Sequence, residues 1–289
     1  MQKFSTKIKL FLPLALLTSL LLSGCYGMDG DFNANMTIAV MSREDGSGTR
    51  GAFVEMLGIE RNGVDHTFIE ADIQHSGGAV LTSVIANIHS IGYISLGSLN
   101  STVSSVSIDG VLPTADTVRN GTYPIFRAFY FAFDDLTELA QDFVNFVLSA
   151  EGQQIAANRG YVSVSDELPA FAGSTASGRV VITGSTSVFP IVEVLGEKFE
   201  TLNPSARIEV HSSGSSAGIT AAIDGTADIG MSSRALNPNE IAQINSTEIL
   251  FDGLAIIVNN NNPVQNMSVE EVRQVFEGKI FNWYKLKSY

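Results

Sequence analysis

The run Ser42-Arg43-Glu44-Asp45-Gly46-Ser47-Gly48-Thr49-Arg50 follows the apolar stretch Met36 to Met41 and precedes Gly51-Ala52-Phe53-Val54-Glu55-Met56-Leu57, which carries a helical pattern. A strand that ends here hands one guanidinium, two hydroxyls and a glycine-freed backbone to the first turn of a helix. The leading N–H groups of a helix are unpaired and carry partial positive charge, so the chemistry available is that of an oxyanion clamp. Arg43 supplies the charge, while Ser47, Gly48 and Thr49 supply neutral donors.

Three more loops repeat the theme. Gly184-Ser185-Thr186-Ser187 and Ser212-Ser213-Gly214-Ser215-Ser216 each join a strand pattern to a helix pattern, and Ser232-Ser233-Arg234 follows the strand pattern Ala227 to Met231. One such loop is ordinary turn and N-cap composition. Four after strand ends point to one site, because open α/β sheets bind ligands beyond the carboxyl ends of their strands. Hydroxyls, N–H groups and an arginine fit a small, symmetric, multi-oxygen anion.

Other chemistries lack their parts. His66, His75, His89 and His211 are scattered without metal-ligand spacing, and Cys25 is the one cysteine, so no metal site, cofactor or internal disulfide is implied. No serine comes with a recognisable base and orienting acid, which argues against an enzyme such as a phosphatase. Phe143, Phe146 and Val147 form a core stripe, and Trp283 and Tyr284 read as packing at a helix end.

The elements that must position these loops alternate. The pattern predicts strand 36–41, helix 47–57, helix 78–87, strand 91–96, an extended stretch at 103–108, a short helix at 115–120 and an extended aromatic stretch at 123–133. Two helices are expected between Leu136 and Asn158, broken near Ser149 to Gly152, and residues 166–178, with Pro169 and several Gly and Ser, read as a linker. A second series follows: strand 180–183, helix 188–201, strand 207–211, helix 216–224, strand 227–231 and a long strand 249–258. Ser268, with Glu271 three residues on, is expected to cap a last helix to Glu277. The fold class is α/β.

The chain of 289 residues is 45% hydrophobic and 16% charged, which describes a folded protein with a sizeable core. Residues 1–24 read as a signal peptide: Lys3, Lys7 and Lys9 lead an apolar run, Leu10 to Leu22, that is too short to span a bilayer. Cys25 follows Leu22-Ser23-Gly24 where lipid attachment would need it, and 25–35 reads as a tether. The formal charge is −13, and without the three leader lysines 14 basic residues face 30 acidic ones. Nucleic acid is excluded as a partner, since phosphate-backbone binding needs a basic face. A small anion is not, because local dipoles outweigh a distant screened charge.

With these residues assembled, the chain resembles the phosphate-binding lipoproteins of bacterial ABC phosphate importers, of the type II periplasmic binding protein fold. The resemblance is carried by Arg43 to Thr49, Gly92-Tyr93-Ile94-Ser95-Leu96-Gly97, Gly121-Thr122-Tyr123-Pro124-Ile125 with Arg127, Leu148 to Gln153, Gly184 to Ser187, Asp228 to Arg234, and Phe276 to Trp283. Their order differs from the family's, in which the segment resembling 180–283 comes first and that resembling 36–164 follows. The chain therefore resembles a circularly permuted member, with the old ends joined through 166–178; a fragment of a tandem pair or a swapped oligomer is the rival.

The resemblance implies two lobes, 36–118 plus 263–289 and 119–262, with a cleft between them. Arg43, Ser47, Gly48 and Thr49 would hold inorganic phosphate from one lobe, and Thr186, Ser187, Ser215 and Ser233 from the other. It further implies a monomer, held to the membrane through lipid on Cys25 at the extracytoplasmic face, which delivers phosphate to the membrane subunits of an ABC importer. A sensor without transport, or a site for sulfate, molybdate or an organic phosphate, is the alternative. Where some family members place a proton-accepting aspartate, this chain has Ser233 followed by Arg234. Glu44 or Asp45 is a substitute acceptor, against the plainer reading of a solvated pair or a partner for Arg43.

Overall fold

A computed structural model describes residues 31–287; the expected signal peptide, Cys25 and the first part of the tether lie outside them. Along the chain, β1 (Ala39–Arg43) leads into α1 (Gly48–Met56), and β2 (Glu60–Arg61) and β3 (Val64–Asp65) form a hairpin. Then come β4 (Asp72–Gln74), α2 (Gly77–Ala86), β5 (Ser90–Ser95), β6 (Val103–Ser105), β7 (Ser107–Ile108) and α3 (Ala115–Arg119). The middle of the chain is β8 (Phe126–Phe133), α4 (Glu138–Val147), α5 (Ala150–Ala157), β9 (Gly178–Gly184), α6 (Phe189–Leu202), β10 (Ala206–Ser212), α7 (Ser215–Ile223), β11 (Ile229–Ser232) and α8 (Pro238–Ile241). It ends with β12 (Asn245–Asn259), β13 (Asn266–Met267) and α9 (Val269–Phe276).

One sheet runs β10-β9-β11-β8-β12-β5-β1-β4, with β6 added to β12. The outer pairs are parallel, while β8 and β12 run antiparallel to their neighbours in the middle. The strand β12 changes partner along its length: Asn245 to Gly253 pair with β8, and Leu254 to Val258 pair with β5. Within its pairing with β8, β12 has a register shift between Glu248 and Leu250.

The two largest hydrophobic cores lie on either side of that change. Ile38, Val40, Phe53, Tyr93, Ile256, Phe276 and Trp283 belong to one, and Phe129, Phe131, Phe143, Phe146, Ile182, Phe199 and Met231 to the other. The expected stripe of Phe143, Phe146 and Val147 is fully buried in the second core. Trp283 is fully buried in the first, whereas its neighbour Tyr284 is exposed. The segment 166–178 carries no helix or strand up to β9, but it is docked: Phe171 packs edge-on against Phe146 with ring centroids 5.2 Å apart, and the Ala150 N–H donates to the Pro169 carbonyl.

Differences from the expected elements have local causes. Thr37 forms a single antiparallel bridge with Asn282, so the strand expected at 36–41 begins at Ala39 and continues through the polar but buried Ser42 and Arg43. The long strand starts at Asn245, before Ile249, because β8 gives its polar leading residues a hydrogen-bonding partner. The Ser268 cap forms as expected, with Glu271 reciprocating.

Candidate functional site

At the end of β1 the Arg43 side chain is 1% exposed. Its Nε and Nη2 donate to the two carboxylate oxygens of Glu44, both at 2.8 Å, and Nε also reaches the Gln74 carbonyl at 3.1 Å. Nη2 further donates to Thr186 Oγ1 at 3.0 Å, from the opposite side of the site. The Arg43 Nη1 is buried with no partner among the described residues. The Arg43 backbone N–H is held by the Tyr93 hydroxyl, which also meets Ser42 Oγ at 3.1 Å. Burial pushes the Tyr93 phenol up to about 12, so it stays neutral, and its ring stacks on Phe53 at 3.9 Å.

The following loop turns on Gly46, whose φ of 82° is left-handed. Ser47 caps α1, its Oγ accepting from the Arg50 N–H, which leaves its O–H free to donate. Gly48 opens the helix where a side chain would not fit: a Cβ would lie 2.2 Å from Ser215 Oγ and 2.8 Å from Ser233 Oγ. Thr49 Oγ1 meets Ser187 Oγ at 2.8 Å. The Ser216 N–H donates to the Gly46 carbonyl at 3.1 Å.

The facing loops are tied to one another. Gly184 has a φ of 142° and passes against the backbone of Met231, where a Cβ would lie 2.3 Å from its carbonyl oxygen. Ser185 donates to Ser233 Oγ at 2.9 Å and accepts from the Ser187 N–H. Ser215, the first residue of α7, accepts from the Ser233 N–H at 3.2 Å. Ser187, Ser215 and Ser233 are all buried. Arg234 turns away to a paired contact with Glu240, at 2.8 Å to each oxygen, and its Cδ lies 3.1 Å from where a Cβ on Gly51 would be.

Arg43, Gly48, Thr49, Thr186, Ser187, Ser215 and Ser233 are thus brought to one place, and Ser47 stands beside them as a helix cap. Glu44 takes the plainer of its two expected roles and holds Arg43. Asp45 is not aimed into the site: its side chain is 96% exposed and paired with Arg50. Tyr93, Ser185, Ser216 and Arg127 lie in motifs noted in the sequence but were not among the residues expected to bind; their roles, and the buried pairing of Arg127 with Asp252, come from tertiary contact. A charge inside an apolar strand was the available signal for that pair, since buried charges require partners.

Chemically, the space between α1 and the starts of α6 and α7 is lined by donors around one fixed, partly unsatisfied guanidinium. No group of His, Cys, Asp and Glu suited to a metal ion occurs among the described residues, and none of the described helices is long and apolar enough to cross a membrane.

Known proteins resemble this chain over most of its length. The chain is 43% identical over 260 residues to a protein of Streptococcus pneumoniae named phosphate-binding protein PstS 2, covering 88% of this chain and 89% of that one. A model of the PBP superfamily domain matches residues 26–151 and 169–287. The chain belongs to the PBP superfamily and, within it, to the PstS proteins. A PstS 2 of Streptococcus agalactiae is 40% identical over 274 residues, with 92% of this chain and 93% of that protein covered. The crystal structure of the phosphate-binding protein of a phosphate ABC transporter from S. pneumoniae superposes with a TM-score of 0.72 at 43% identity, over 87% of this PstS chain and all of that one. The two-lobe type II fold is therefore the fold of this chain.

Proposed function

We propose that this PstS chain is an extracytoplasmic solute-binding protein that captures inorganic phosphate between two lobes, 36–118 plus 263–289 and 119–262, and delivers it to an ABC importer. The observation that carries the reading is the Arg43 guanidinium: one edge is fixed by Glu44, Nη2 reaches the Thr186 hydroxyl, and Nη1 is buried without a partner among the described residues. A tetrahedral oxyanion satisfies it. Arg43, Ser47, Gly48 and Thr49 bind from one lobe and Thr186, Ser187, Ser215 and Ser233 from the other, which makes binding and closure one event. The names of the relatives supply phosphate as the anion.

Lipid on Cys25 holds the protein to the membrane in this reading, in keeping with the Leu-Ser-Gly-Cys sequence. The chain is a re-cut form of the family order. Supporting this, the Ile38 N–H donates to the Phe281 carbonyl and the Tyr284 N–H to the Ala34 carbonyl, both at 3.0 Å, so the segments that would be contiguous in the family order already meet.

Titration calorimetry on residues 26–289 with phosphate, sulfate and molybdate tests the proposal. Saturable heat with phosphate, at a stoichiometry of about one, is the expected result. A folded, ligand-free sample that gives heat only with sulfate or molybdate reassigns the ligand, and one that gives none with any of the three removes the reading.

A further inference from the structure

The change of partner along β12 is marked by a buried ion pair. Arg127 on β8 stands opposite Asp252 on β12, the pair before the last rung of that ladder. Arg127 Nη2 donates to Asp252 Oδ2 at 3.3 Å, and the side chains are 4% and 0% exposed. Asp252 Oδ1 accepts from Ser95 Oγ at 2.8 Å, at the end of β5. One carboxylate thereby ties a strand of the first core to a strand of the second where the chain crosses between them.

Arg127 is under-used by this arrangement. Its Nε and Nη1 are buried without partners among the described residues, and beneath it lies the Phe129 ring, 5.2 Å from the guanidinium carbon. Burial pushes its pKa down to about 10; Asp252 opposes the fall and the like charge of Arg43 adds to it, so the two guanidiniums feel each other. The register locates it as well. Tyr130 of β8 pairs with Ser232, the last residue of β11, and the two strands are antiparallel, so Arg127, three residues earlier, lies beyond the carboxyl end of β11 on the side where Ser233 leaves the sheet. At about 3.4 Å per residue that is one loop's depth.

We propose that Arg127 is a second guanidinium of the anion site, positioned by Asp252 at the strand crossover, and that its Nε and Nη1 serve the bound oxyanion together with Arg43 Nη1. The inference rests on the anion-binding reading above and adds a residue outside the four clamp loops. Three buried N–H-bearing atoms on two arginines, without partners among the described residues and each arginine already paired with one carboxylate, leave donors to spare that an entering anion satisfies. Asp252, held by Ser95 on one side, thus fixes the second guanidinium from the other.

The test compares the parent with Arg127→Met, Arg127→Lys and Asp252→Asn by calorimetry with phosphate, sulfate and molybdate, each sample melted without ligand as a fold control. For the anion that the parent binds, Arg127→Met is expected to weaken Kd about tenfold or more. Arg127→Lys should recover part of the loss and Asp252→Asn should lie between them, with ligand-free melting temperatures of Arg127→Met and Arg127→Lys alike. Folded Arg127→Met with Kd within about twofold of the parent overturns the proposal. If Arg127→Met does not fold, Arg127→Lys decides: a loss of severalfold supports the fork of donors, and parental affinity overturns it. Failure of both to fold assigns the residue to structure alone and likewise overturns it. A parent that binds sulfate or molybdate in place of phosphate changes the ligand and leaves this comparison intact, whereas a parent that binds none of the three removes both readings.

Discussion

The hydroxyls of Thr49 and Ser187, 138 residues apart in the chain, meet at 2.8 Å. Thr49 is in the first turn of α1 and Ser187 just ahead of α6, so two helix starts face each other across this contact. Opposed helix N-termini present positive dipole ends to the space between them. That space favours an anion before any charged side chain is counted, and Arg43 adds the full charge.

Removing that charge tests the clamp directly. Arg43→Ala is expected to weaken phosphate binding by at least a hundredfold, and Thr186→Val, which removes the hydroxyl that Arg43 Nη2 reaches, by about tenfold. These follow from roughly 1.5 to 3 kcal/mol for each hydrogen bond to a charged group. Calorimetry on samples with native circular dichroism checks both; parental affinity in Arg43→Ala removes the residue from the site.

Steric closure has its own probe in Gly48. A Cβ there lies 2.2 Å from Ser215 Oγ and 2.8 Å from Ser215 Cβ, so the closed form cannot accommodate it without displacement. Gly48→Ala should fold and melt near the parent while binding phosphate weakly. Small-angle scattering should show the contraction on adding phosphate in the parent and not in the variant.

A pH effect is expected at Glu240. Burial alone would raise its pKa, but the hydrogen bonds from Arg234 and the Asn237 N–H hold it below the ordinary glutamate value of 4.5. A carboxylate depressed in the folded state contributes stability above its unfolded pKa and loses it as pH falls through the folded one. Melting temperature should therefore fall below about pH 4.5, and Glu240→Gln, already lacking the charge, should fall less steeply there. The difference is small, of order 0.5 kcal/mol, because the pair is partly solvated. Identical acid slopes in the two proteins count against it.

The meeting of residues 34–38 with 281–284 predicts tolerance of re-connection. A chain that runs from 178 to 284, continues through a short Gly/Ser loop into 36 and ends at 165 should fold and bind phosphate like the parent, since the contacts are unchanged and the new break lies in a loop. Insoluble product, or a folded product without phosphate binding, argues against the re-cut topology.

Much of this was legible in the sequence where side-chain pattern and local chemistry agree. Ser268 and Glu271 announce their capping box, Ser149 the break between α4 and α5, and the clamp loops their place after strands. The hairpin of β2 and β3 was not among the expected elements, because its strands are two residues each and show no alternation. Arg43 was read as a loop residue because hydropathy cannot see a polar residue that continues a buried strand. Arg127 and Asp252 sit 125 residues apart, and their pairing is set by the β8 to β12 register, which no local pattern encodes.

The strand Asn245–Asn259 contributes rungs to both halves of the sheet and side chains to both cores. Neither half can lose its order without stripping the other of a central strand. Heat should therefore take the protein apart in a single cooperative step despite its two cores, and amide protons of Leu254 to Val258 should exchange only through that global event.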